Sequence, residues 1–131
     1  MKVTELRNFD GLLEFSFGNT PELADDLLRL VIAGQKTATC CAFDAASPIS
    51  AVGDRQIVLD GAGRRTCVIE ITEVTITLFD QVTANFAYLE GEGDRSLQHW
   101  RTVHEAYFRC EGKFMPDMPL LCETFRVVDV L

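Results

Sequence analysis

The stretch Gly34 to Cys40, GQKTATC, sets a helix stop directly against a β-prone run, and no other stretch constrains the fold as much. Upstream, Leu23, Leu27, Leu30 and Val31 fall at helical spacing on one face. Gly34 follows where a helix commonly closes with a left-handed residue, so the chain can turn sharply there. Thr37 to Phe43 then alternates as a strand does. The corner carries an ammonium and two hydroxyls, those of Lys36, Thr37 and Thr39. Lysine can act as a base when burial lowers its pKa, and threonine can attack when a base takes its proton, so this set can carry acyl transfer or hydrolysis. It can equally hold a phosphate, or be no more than a helix stop followed by a strand with a solvated lysine. In a regular strand Lys36 and Thr39 point to opposite faces, so they converge only if Lys36 belongs to the turn.

A chain of 131 residues is long enough for one domain, here residues 1–131, burying roughly two-thirds of its unfolded surface. Its formal charge of −8 repels a polyanion at long range, which argues against a sequence-blind nucleic-acid binder and leaves only local contacts to RNA. The N-terminal MKVTELRNFDG has no continuous apolar core of a secretory signal, and no apolar run approaches the ~18 residues of a membrane span. The expected location is therefore cytoplasmic, with no membrane partner. Cys40, Cys41, Cys67, Cys110 and Cys122 form an odd set without CxxC or a Cys/His pair at finger spacing. Reduced thiols, no structural zinc and no cofactor are the expectation.

In chain order, the first nineteen residues show no single period and read as a short helix or strand. Thr20 is a good N-cap before Pro21 at the first helical position, predicting a helix from Pro21 to about Ala33. A loop is expected from Asp44 to Gly53. Gln56–Asp60 and Thr66–Val74 read as strands joined through Gly61-Ala62-Gly63, with Cys67, Ile69 and Ile71 on one face and Val68, Glu70 and Thr72 on the other. Thr75 to Phe79 extends the sheet, and Asp80 is the expected cap of a short helix. In Glu90-Gly91-Glu92-Gly93-Asp94, glycines between acids predict a loop that presents carboxylates, either as a solvated acidic surface or as a cluster facing Lys36. Asp94 is the expected cap of a helix running to Cys110, on which Trp100 and His104 serve as core or as a base-stacking platform. Arg95 is a candidate phosphate or carbonyl contact. Leu120 to Leu131 ends the chain as one or two strands.

Hairpins interleaved with helices favour an α+β fold on a mostly antiparallel, curled sheet. Taken together, GQKTATC after FGNTPELADDLL, then VGDRQIVLDGAGR, then EGEGDRSLQHWRTVHEAYF resemble the ASCH domain family over roughly Phe17 to Val128. The resemblance implies a small PUA-like β-barrel with helices packed around it and a cleft for RNA or a nucleoside. Members are regarded as RNA-associated, some cleave RNA, and a shorter bacterial branch removes the acetyl group from N4-acetylcytidine. There a lysine and a threonine of a G-x-K-T-x-T motif act with a later glutamate. The matching residues are Lys36, Thr39 and Glu92, with Glu90 the alternative carboxylate. The implied activity is hydrolysis of a nucleoside or RNA-derived amide, with Thr39 as nucleophile, Lys36 as base and Glu92 orienting the lysine. Thr37, Glu90, Asp94, Arg95 and Trp100 are the expected substrate contacts. A ribonuclease acting on single-stranded RNA and a non-catalytic RNA- or ligand-binding module are the alternatives.

Overall fold

The computed structural model describes residues 2–9, 12–46 and 49–131, the first strand by its backbone alone. Among the described residues, six strands and three helices follow in order: β1 Lys2–Phe9, β2 Leu12–Phe17, α1 Pro21–Ile32, β3 Ala38–Ala42, β4 Arg55–Leu59, β5 Arg65–Leu78, α2 Ala84–Glu90, α3 Leu97–Cys110 and β6 Pro119–Val130. The sheet order is β1-β2-β4-β5-β6-β3. Only β2–β4 is parallel, so the expected mostly antiparallel, curled sheet is present, and among the described residues its edges β1 and β3 stay open. The N-terminal stretch, expected as a short helix or strand, is a pair of strands. The C-terminal run is a single strand. Within the predicted loop after β3, Ser47 and Pro48 lie outside the described residues.

The helix caps follow local chemistry, with two corrections. Thr20 caps α1 as expected, its hydroxyl accepting from the Leu23 N–H at 3.1 Å. Asp80 does not cap α2: it sits in a 3-10 turn at Phe79–Gln81, and the Thr83 hydroxyl caps the helix by accepting from Phe86 N–H. Asp94 does not cap α3 either. Arg95 takes a left-handed φ of 66°, so helical geometry cannot begin before it, and Ser96 supplies the cap while Asp94 accepts from the Ser96 N–H.

Of the two β5 faces, the one carrying Cys67, Ile69 and Ile71 turns inward: these residues join Phe15, Phe17, Val58 and Phe125 in a core closed by Leu27 and Val31 of α1. A second core unites Cys40, Leu120 and Cys122 with Phe79, Val82, Ala87, Trp100 and Phe108, where α2 and α3 pack. Phe108 is 0% exposed, and burying a side chain of that size contributes about 2–3 kcal/mol.

Candidate active site

A complete glycine stop closes α1. Gly34, at φ 78°, donates to Val31 O, and Gln35 N–H reaches back to Leu30 O at 2.9 Å. Lys36 N–H uses the same carbonyl, so Lys36 belongs to the turn, and β3 begins only at Ala38. The corner is then clamped on both sides, because Thr37 N–H donates to Leu89 O at 2.8 Å and Thr37 O accepts from Phe125 N–H at 3.0 Å.

From that turn the Lys36 side chain runs inward, and it is 0% exposed. Its ammonium spends its three protons on Glu90 Oε1 (3.0 Å), Glu92 Oε2 (3.0 Å) and the Glu90 carbonyl (3.4 Å). Its charge also lies 5.7 Å from the Phe17 ring centroid. The Lys36–carboxylate meeting is thus made, with both glutamates rather than one. Neither the Thr37 nor the Thr39 hydroxyl is a partner of the ammonium. Thr37 Oγ1 donates to Leu89 O at 3.4 Å, while Thr39 is 1% exposed and opposite Glu123 across the β3–β6 ladder.

Glu90 ends α2, where a negative charge opposes the helix dipole, yet it is 0% exposed. Lys36 compensates one oxygen, and Trp100 Nε1–H donates to the other at 2.7 Å. Trp100 therefore faces inward, 3% exposed and stacked on His104 with centroids 4.2 Å apart, rather than offering a platform to a base. His104 Nδ1 lies 2.8 Å from Trp100 O; a carbonyl only accepts, so this nitrogen carries the hydrogen. Its Nε2 faces Glu90 Oε2 at 3.5 Å.

The acidic loop is fastened to the corner. Gln35 Nε2 donates to Gly91 O at 2.6 Å, and Arg95 donates to Tyr88 O (3.0 Å) and Gln35 O (3.3 Å) with its guanidinium 3.6 Å from the Tyr88 ring centroid. Arg95 and Thr37 thus serve the architecture, Asp94 stays exposed beside Ser96, and Gln35 is a clamp that no spacing in the sequence signals. A cavity of about 310 Å³ at the N-terminus of α1 is lined by Gly18, Thr20, Asp60 and Gly61 among others, and its lining includes none of Lys36, Thr39, Glu90 or Glu92. The cluster of buried charges, rather than that cavity, is the candidate site.

Burial pushes the Lys36 pKa down, but the Glu90 and Glu92 charges outweigh it and hold the ammonium above its ordinary 10.5. The shift is upward, opposite to the lowering that a lysine base requires. Burial pushes Glu90 and Glu92 up, and Lys36 reverses this, holding both below 4.5. Burial holds His104 below 6.5 despite Glu90, leaving the ring neutral at neutral pH. The lysine and two glutamates carry one net negative charge. Depressed carboxylates stabilise the fold above their unfolded pKa of 4.5 and cease to as pH falls; the raised lysine stabilises below 10.5 and ceases to as pH rises through its folded value. The melting temperature should be level only between about pH 7 and about pH 8 and drop on either side, because the buried, neutral His104 costs stability as pH falls below 6.5 and the buried thiols of Cys40, Cys67 and Cys122 cost it as pH rises past 9.0. Calorimetry showing no drop between about pH 5 and pH 3 would contradict the buried pairing.

Residues 14–129 match the ASCH domain family. The chain belongs to that family. An ASCH domain from Lactobacillus crispatus JV V101 is 33% identical, with a TM-score of 0.82 over 88% of this chain and 79% of that one. A protein of Enterococcus faecalis V583 is 34% identical, with a TM-score of 0.81 over 88% and 75% of the two chains. A hypothetical protein at 13% identity and a TM-score of 0.61, covering 79% of this chain and 93% of its own, shares the fold alone. No protein of curated function matches. This ASCH domain has the PUA-like α+β fold, and among its described residues no helix is long and apolar enough to cross a membrane.

Proposed function

We propose that this ASCH domain hydrolyses an amide on a nucleoside or RNA-derived base, N4-acetylcytidine being the representative substrate. The observation that carries the reading is a fully buried lysine ammonium held between two carboxylates, three residues before a buried threonine in GQKTATC. Burying three charges is costly unless geometry and hydrogen bonds repay it, and such expense concentrates at functional sites. The −8 formal charge favours a small substrate over a polynucleotide.

The raised lysine pKa redistributes the roles. Thr39 Oγ attacks the acyl carbon and its proton passes to the Glu92 carboxylate, the partly exposed member of the pair. The Lys36 ammonium stabilises the oxyanion of the tetrahedral intermediate, and the C–N bond breaks as the exocyclic nitrogen receives the proton from Glu92. Water then cleaves the acyl-threonine ester, releasing acetate and restoring the hydroxyl. Lys36 and Thr39 are closed off, so the segment 91–95 lifts to admit substrate, pivoting on Gly91 and Gly93.

Purified protein incubated with N4-acetylcytidine should yield cytidine and acetate by chromatography. Thr39→Val should lower kcat at least ~100-fold with the fold retained, and Thr37→Val should cost far less. Undiminished turnover by Thr39→Val ends the nucleophile assignment. A wild-type protein that releases no acetate yet binds RNA in a Lys36-dependent, salt-sensitive manner is a binding module instead.

A further inference from the structure

Glu90 has a second set of neighbours that the amide chemistry does not use. Cys40 Sγ, a Glu90 carboxylate oxygen and a His104 ring nitrogen lie within 4.8 Å of one another, and all three residues are buried. They come from β3, the end of α2 and the middle of α3. A fourth donor belongs to β6: Cys122 is the direct cross-strand partner of Cys40, so both thiols stand on one face of the ladder. We infer that Cys40, Glu90, His104 and Cys122 form a site for one zinc-class divalent cation, held inside the second core.

His104 supplies the independent sign. Its Nε2 is buried without a hydrogen-bond partner and aims at Glu90 Oε2. Its other nitrogen donates to the Trp100 carbonyl, the arrangement that fixes the tautomer of metal-binding histidines and leaves Nε2 as the ligand. Glu90 is supported in the same way, since Trp100 Nε1–H and the Lys36 ammonium orient its two oxygens and can remain while one oxygen binds a cation. Two thiolates, an imidazole and a carboxylate are a borderline-soft, four-donor set, which suits zinc in tetrahedral geometry and not magnesium or calcium. Zinc–ligand bonds of about 2.0–2.3 Å bring tetrahedral donors to about 3.3–3.8 Å of one another, so Cys40, Glu90 and His104 need draw in by about 1–1.5 Å, while Cys122, which is not among the three within 4.8 Å, completes the set by a turn of its side chain toward them.

Charge balance favours the exchange. Thiols are protonated at neutral pH at their ordinary pKa and bind a metal as thiolates. A divalent cation that displaces these two protons leaves the net charge of the cluster unchanged, and the ion enters without creating an unpaired charge in the core. The absence of CxxC does not bear on this site, because its ligands come from four separate elements. The site shares Glu90 with the Lys36 cluster but does not depend on the amide reading.

The test uses the whole protein, reduced with a phosphine and freed of metal by a chelator, then titrated with cobalt(II) both as folded protein and during refolding from denaturant. Saturation at one equivalent is expected, with a thiolate-to-cobalt charge-transfer band and the visible bands of tetrahedral cobalt, two protons released per ion, and bleaching of the bands by zinc. Zinc should raise the melting temperature of wild type and not that of Cys40→Ala, a small change that the core accommodates. Cys122→Ala should weaken the charge-transfer band, and His104→Gln should lower the affinity at least tenfold. Absence of a thiolate band in both folded and refolded wild type overturns the inference. So does an unchanged band in Cys40→Ala, or binding of cobalt without thiolate character.

Discussion

Replacing Lys36 by methionine is expected to lower the free energy of unfolding by about 3–5 kcal/mol, because it strands the Glu90 carboxylate in the interior. A solvated lysine, the bland reading of the motif, would change stability by no more than about ±0.5 kcal/mol, so denaturant unfolding separates the two without an assay of function. The variant should also reverse its pH response. With the cation gone, burial raises the folded pKa of Glu90 above its unfolded value, so stability should improve as pH falls below neutral, opposite to wild type. Adding Glu90→Gln should restore part of the loss, since it removes the unpaired charge. Turnover of N4-acetylcytidine should fall at least ~100-fold in both variants. A Lys36→Met protein as stable as wild type, with the same pH profile, would show that the ammonium is not buried between the carboxylates.

Gly91→Ala should be the most damaging glycine substitution at the site. Gly91 has φ 74°, which costs a side chain about 1–2 kcal/mol, and a Cβ there would run into the Gln35 carbonyl oxygen. Gly112 has nearly the same φ, 72°, but a Cβ there meets nothing within 4 Å. Gly112→Ala should therefore cost the backbone penalty alone. The difference between the two variants reads the clash, and it should appear as a further loss of at least about 1 kcal/mol together with a drop in kcat, because the loop carrying Glu92 is pushed off the corner. Equal destabilisation by both substitutions would mean that the loop does not rest against Gln35.

Much of the frame was legible because it is local. Thr20 and Pro21 start α1, Gly34 ends it, and Gly61-Ala62-Gly63 turns β4 into β5; each outcome depends on the backbone preferences of a few adjacent residues. The alternation of Cys67, Ile69 and Ile71 likewise put them on one face of β5 before any partner strand was known, and that face is the buried one. Where the reading failed, several adjacent polar residues offered the same local chemistry. Asp80 competed with Thr83, and Asp94 with Ser96, for one cap each, and the winner was decided by the 3-10 turn in one case and the left-handed Arg95 in the other.

By itself, the sequence determined the family, the α+β class and the presence of Lys36 and the acidic loop at two separate points of the chain. Their protonation states were a tertiary matter. A lysine's pKa depends on how deeply it is buried and which charges surround it, and here the two glutamates, 54 and 56 positions along the chain, shift it upward, opposite to the lowering that a base requires. The inward turn of Trp100 was decided in the same way, by the carboxylate that its indole N–H must satisfy. Pairing of Cys40 with Cys122 is likewise a property of strand register between β3 and β6, which couples residues that no spacing rule connects.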